Sequence, residues 1–238
     1  MAAAALPFAV DAATFAVAAV LVLTLPRVRP AVAVGPGIRS GLFGDAVSGV
    51  RWLLRLPTLR LLAALGAAAN LVIGALMAVL VLIVLDIFGV PEVGYGLVLM
   101  VGSAGPLVGA LVAGRLGARV GTLRTLRWVL VAQAAALVVL AAARHVVPGT
   151  AALAVFVAGS AVWNVLANSY LQWAVPTDLL GRVGSANRIA AVAAAPVGAG
   201  LGGLLADWLG VPAMVACAAV LFAVLALFGW RALGRHSH

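Results

Sequence analysis

The 238 residues contain no lysine, one cysteine, three histidines and six acids, and only 9% of the chain is charged. Each shortage removes a class. One cysteine, Cys217, excludes an internal disulfide, and with His so scarce a Cys/His zinc cluster is excluded as well. Six dispersed acids offer no paired carboxylates, no His-Glu-x-x-His run and no nucleophile with its base, so enzyme chemistry has no constellation to rest on. A soluble fold is excluded too: 66% of the residues are hydrophobic, before 27 glycines are counted, and so little polar surface cannot cover such a core. What remains is a membrane protein.

The charge-free stretches measure the spans. A crossing needs roughly 20 nearly uncharged residues, because a helix rises about 1.5 Å per residue through about 30 Å of hydrocarbon. Seven spans are expected, near 4 to 25, 60 to 86, 92 to 114, 127 to 144, 150 to 173, 186 to 206 and 211 to 230. The fold class is all-α and integral to the membrane. It comprises a first span within 1–26, a cytoplasmic loop over 27–59 and a six-helix half over 60–238.

Fifteen arginines give a net charge of +9, which in a soluble protein would suggest nucleic acid. Here it reports topology. If 27–59 is cytoplasmic, fourteen arginines fall on that side and only Arg144 falls outside, together with Asp86, Glu92 and Asp207. The N-terminus is then outside and the C-terminus cytoplasmic, in the cell membrane, with the lipid bilayer as partner and no nucleic acid. Trp128, Trp173, Trp208 and Trp230 fall at span ends, at headgroup depth. Within the loop, Phe43, Ala46, Val47, Val50, Leu53 and Leu54 recur at helical spacing opposite Asp45, Ser48 and Arg51, so an in-plane amphipathic helix capped by Ser40 is expected. The first span has no basic flank, and an upstream half is expected to be missing; the alternative is a first helix that inserts tail-out.

An internal repeat supports a doubled architecture. At an offset of 89, Val108/Val197, Gly109/Gly198, Ala110/Ala199, Gly114/Gly203, Leu116/Leu205 and Gly121/Gly210 coincide. That is six of fourteen positions, where this composition gives roughly two by chance. The offset spans three helices, so the second copy is inverted, as in the 3+3 inverted repeats of six-helix transporter halves.

Gly114-Arg-Leu-Gly-Ala-Arg119-Val-Gly121-Thr-Leu-Arg-Thr-Leu126 resembles the loop motif of the major facilitator superfamily, Gly-x-Leu-Ala-Asp-Arg-x-Gly-Arg-Arg-x-x-Leu. Ala118 and Thr122 depart from it, and the motif's charge relay is not carried over. Pro7-Phe-Ala-Val-Asp11-Ala-Ala-Thr-Phe15, the stretch Leu171 to Val183 and Gly203-Leu-Leu-Ala-Asp207-Trp-Leu-Gly210 resemble the sixth span, the loop between the tenth and eleventh, and the outer eleventh-span end of its bacterial drug and siderophore exporters. The resemblance implies secondary transport, with efflux of small amphipathic molecules by alternating access. It also implies a conformational-switch loop at Gly114, Arg119 and Gly121, and a partner in a missing N-terminal six-helix half or a separate chain. A non-transporting fragment is the alternative. No cofactor is implied.

Polar side chains at bilayer depth turn to the bundle interior or to a cavity. Ser160, Asn164, Asn168 and Gln172 recur every four residues on one helix face, with Trp163 beside them and Asn70 at similar depth on the second span. Together they are the candidate substrate path; the same residues could serve as hydrogen-bonded glue between helices, the role expected of Gln133. Trp163 could stack on a flat cargo or fill space. Proton coupling would need a titratable group within a span, and Asp11 is the candidate, with an interhelical carboxylate as the alternative. His145 is expected at the outer rim. Gly102, Gly105, Pro106 and Gly109, and Pro196, Gly198, Gly200 and Gly202, suit either rocking helices or tight static packing.

Overall fold

The computed structural model describes residues 2–24 and 42–235, with side chains described over 11–24, 47–91 and 94–235. Ser40, Arg27, Arg29 and Arg39 lie outside the described residues, as do the side chains of Phe43, Asp45, Ala46 and Glu92. No strand occurs among the described residues. The chain divides into two units, Met1–Arg39 and Ser40–His238. The first contains α1 (Ala2–Thr24), which covers the first expected span; the part of it with described side chains, Asp11–Thr24, is a shorter apolar stretch.

The second unit holds α2 (Leu42–Arg55), α3 (Pro57–Leu82) with a π-helical continuation over Ile83–Ile87, α4 (Glu92–Val120), α5 (Thr122–Ala142), α6 (Val146–Ala174), α7 (Leu180–Leu209) and α8 (Val211–Gly234). Six helices among the described residues, α3 to α8, are long and apolar enough to cross a membrane. Several outrun the expected spans. α4 continues past residue 114 through Arg115 and Arg119 to Val120, and α5 starts at Thr122 rather than 127. A charge marks where a helix leaves hydrocarbon, not where its hydrogen bonds stop, because arginine side chains can reach water from the last turns. α6 accommodates Pro148 in its first turn, where a missing N–H costs nothing.

Two corners share one design. Gly121 ends α4 with φ 91° and ψ 141°, and Gly210 ends α7 with φ 83° and ψ 154°. Only glycine tolerates that region readily. The Gly121 N–H donates to Gly117 and its carbonyl accepts from Thr125 N–H; the Gly210 N–H donates to Ala206 and its carbonyl accepts from Met214 N–H. Each glycine therefore closes one helix and opens the next, and the two sets of three residues are each offset by 89. Gly121 and Gly210 are one of the residue pairs that coincide at that offset in the sequence.

Packing follows the same rule. α4 packs along α6 and α7 along α3, while α5 and α8 pair behind them and contact α6 and α3 respectively. Exchanging the triplet α3–α5 for α6–α8 turns the α4–α6 contact into α7–α3 and the α5–α6 contact into α8–α3, and maps α5–α8 onto itself. In lipid no hydrophobic gain draws helices together, so close approach depends on small residues. A side chain at Gly105 or Gly109 of α4 would strike the Ala154 and Ala158 carbonyls of α6, and one at Gly74 of α3 or Gly198 of α7 would strike the Ala195 and Leu71 carbonyls. Behind these crossings the core is filled by Leu76, Leu130, Leu137, Met214 and Leu233, with Phe156 and Phe222 edge to face at 5.4 Å between ring centres.

The amphipathic helix expected in the loop is present as α2. It belongs to the bundle unit and packs on α7, with Gly49 against the Arg182 carbonyl. Leu53 is buried with Leu59, Leu171, Val175 and Val183, while Val47, Val50 and Leu54 remain exposed. The apolar face is thus split between a packed side and an open side, because Gly49 lets the helix sit close on the start of α7. At the opposite end of the bundle the π turn bonds Phe88 N–H to the Ile83 carbonyl at 3.1 Å and seats the Phe88 ring where a side chain at Gly149 would be.

Candidate functional site

The ends of α3 (N-terminal), α6 (C-terminal) and α7 (N-terminal) meet at one end of the bundle, with α2 against them. Arg51, Arg55, Arg60, Arg115, Arg119, Arg124, Arg127, Arg182, Arg188, Arg231 and Arg235 lie on elements at this end; Arg144 lies between α5 and α6 at the other. A small cavity of about 40 Å³ lies between α3, α6 and α7, lined from Leu53 and Leu59 near the arginine-rich end to Asn70, about three turns in. Asn70 of α3 and Trp163, Asn164 and Asn168 of α6 line it. Four residues of the expected substrate path are therefore brought together.

The amides are held in a common way. Asn70 Nδ2 donates to the Gly66 carbonyl at 2.9 Å, Asn164 Nδ2 to Ser160 at 3.0 Å and Asn168 Nδ2 to Asn164 at 2.8 Å, each four residues back on its own helix. The reverse orientation would set oxygen against oxygen. Each amide keeps its carbonyl oxygen and a second N–H for another partner. Asn164 and Asn168 are exposed, Asn70 half-buried, and Trp163 buried with 7% exposure. The Trp163 ring rests on α3 because Gly66 has no side chain: a Cβ there would lie 3.2 Å from Nε1. Trp163 is thus both the filler between α3 and α6 and the cavity's apolar floor.

Asn187 of α7 also lines the cavity. Asn187 falls inside the expected span 186 to 206 but was not among the candidate residues, which were chosen from the four-residue stripe on α6 and from Asn70 at similar depth.

Two expected members stand apart. Ser160 does not line the cavity: its hydroxyl lies 3.2 Å from the Phe156 carbonyl and accepts from Gln133 Nε2 at 2.9 Å. Gln133, 1% exposed on α5, also donates to the Phe156 carbonyl at 3.0 Å, and Gly159 leaves the room it occupies. Ser160 is therefore tied into the α5–α6 contact. Gln172 is exposed near the end of α6 and is not among the lining residues.

In the loop motif, Gly121 forms the corner described above, Gly114 faces open space and Arg119 is exposed. The motif's last turn is fastened by Thr125 instead, whose hydroxyl lies 2.9 Å from the Gly121 carbonyl and 3.2 Å from that of Leu116. Asp11 lies in α1, its backbone carbonyl accepting from the Thr14 hydroxyl at 2.7 Å. His145 caps α6, its Nδ1 accepting from Val147 N–H at 3.4 Å. No group of three or more His, Cys, Asp or Glu placed to hold a metal occurs among the described residues.

Compared with known protein families and with curated proteins, the sequence matches none. The chemistry open to the site is thus read from its geometry: four amides and an indole on one wall can hydrogen-bond and stack, and carry no group that could cleave or transfer.

Proposed function

We propose that the chain is a six-helix half of a secondary active transporter of the major facilitator type, moving small amphipathic molecules out of the cell by alternating access. The observation that carries this reading is the polar wall, with Asn70, Asn164, Asn168 and Asn187 contributed by three helices around Trp163. Amides facing hydrocarbon are costly, so such a wall belongs against water, cargo or further protein. In their most apolar stretches α4 has 17% of its residues buried and α7 only 11%, against 33 to 44% in the other four helices. These under-covered flanks support a second six-helix half, from the same polypeptide or a partner chain, which would complete a cavity over the wall. The exchange symmetry of the contacts supports a 3+3 inverted repeat, with α1 as the preceding span. By the positive-inside rule the arginine-rich end faces the cytoplasm, which puts the C-terminus there and the start of α1 outside. Gly114, Arg119 and Gly121 then sit at a cytoplasmic helix end free to change partners between states.

The open flanks also favour one further reading, a half that transports nothing until complemented. Accumulation of amphipathic fluorescent dyes in cells producing the protein separates the two. Lower accumulation, restored by Asn164→Ala with Asn168→Ala, is the result expected of a working transporter; unchanged accumulation of every dye at normal membrane levels leaves the dependent half. The wall itself is tested in a Cys217→Ser background carrying Asn168→Cys. A membrane-impermeant maleimide should label it readily, and a thiol that stays unreacted would remove the wall from any aqueous path.

A further inference from the structure

A second cavity, of about 880 Å³, opens at the arginine-rich end between the α4–α5 corner and the last turns of α6 and α8. Arg124 and Arg127 of α5 line it with Tyr170 and Trp173 of α6, and among the described residues no acid does. The backbone adds to the positive potential. Thr122, Leu123 and Arg124 form the first turn of α5, whose amides have no helical partner, and Gly121 supplies no side chain to cap them.

Arg127 shows what is missing. Its guanidinium carbon sits 4.1 Å from the centre of the Trp230 ring, and its Nε is buried with no hydrogen-bond partner. That Nε is closed off from the cavity, but Arg127 lines it, and an anion there would offset the charge of its partly buried guanidinium. Trp230 also stands edge to face with Trp128, 5.0 Å between centres, and these two rings begin an almost wholly apolar groove of about 520 Å³ between α5 and α8, walled by Val131, Ala134, Ala223 and Leu227. The cationic cavity and the apolar groove adjoin across the Arg127–Trp230 contact, and with tryptophans of the kind found at headgroup depth on their borders the pair fits a molecule with an anionic head and a hydrocarbon tail.

We infer that this is a binding site for one anionic glycerophospholipid, its phosphate held by Arg124, Arg127 and the first amides of α5, and an acyl chain laid along the α5–α8 groove. A free phosphate would satisfy the cavity and leave the groove unused. The site is separate from the asparagine wall and does not depend on transport.

The test uses the full chain, purified in detergent, stripped of lipid and followed by its tryptophan fluorescence. Phosphatidylglycerol with brominated chains should quench at a much lower mole fraction than brominated phosphatidylcholine. Arg124→Gln and Arg127→Gln should each reduce that preference about fivefold, while Arg60→Gln, at the same end but outside the cavity, leaves it unchanged. Arg124 is exposed, so its variant reads the site even if loss of the Arg127–Trp230 stack disturbs folding. Equal quenching by the two lipids would overturn the inference, as would a preference that survives the double substitution. Displacement of the lipid by millimolar inorganic phosphate would overturn it in favour of a free-anion site.

Discussion

The α4–α5 and α7–α8 corners have the same backbone and opposite chemistry. Both turn on a glycine of positive φ with the same hydrogen bonds before and after it, yet the first is flanked by Arg115, Arg119, Arg124 and Arg127 and the second by Asp207 alone. They lie at opposite ends of the bundle. The shape of the corner is therefore specified by glycine and by close helix approach, and the charges are free to report which side of the membrane each corner meets.

That separation can be broken experimentally, and the largest effect is expected at the crossings. Gly109→Val and Gly198→Val drive side chains into the Ala158 and Leu71 carbonyls, and each should cost about 3 kcal/mol or more, seen as loss of monodisperse protein in detergent. Gly200→Ala, which meets open space, should leave the thermal midpoint unchanged or slightly raised. Next come the corners themselves. Gly121→Ala and Gly210→Ala should each destabilise by about 1–3 kcal/mol and by similar amounts; clearly unequal losses in the thermal midpoint would mean that the two corners are not equivalent.

A smaller effect is expected at Gln133. Substitution by Leu removes its hydrogen bonds to Phe156 and Ser160 while keeping most of its volume, at roughly 1 kcal/mol. Smallest of all, Arg119→Gln and Asp207→Asn should each change stability by less than about 0.5 kcal/mol, both side chains being exposed. If Arg119→Gln cost as much as Gly121→Ala, charge would be part of the corner and the comparison would fail.

Most of the helical layout was legible because a membrane forces its own ruler on a sequence: runs between charges gave six of the helices that the structure contains, and the offset of 89 paired Gly121 with Gly210 without saying that each would be a corner. The limits were just as physical. Counting gaps stops at the first charge, so it cut short α4 and α5; Asn187 lies on a different helix from the α6 stripe, and only the packing of α7 on α3 and α6 brings it to the same cavity. Helical spacing placed Ser160 on the asparagine face, but a neighbouring helix decides what a side chain bonds, and Gln133 reaches Ser160 first. Amphipathic spacing identified α2 but could not say which part of its apolar face would be covered. Arg127 counted only as a topological charge, since nothing in its neighbours along the chain announces the Trp230 ring over which it lies, about 100 residues later.

The π turn at Ile83–Ile87 has a consequence for helical phase. A turn that closes on five residues instead of four carries one residue more than the α-helix needs, so everything after it is rotated by about 100° relative to an uninterrupted α3. Phe88 reaches the notch at Gly149 only in that rotated register. The closure of the bundle's arginine-poor end is therefore one deletion away from being undone, while Asn70, the wall's one residue on that helix and more than a dozen residues earlier, would keep its bearing.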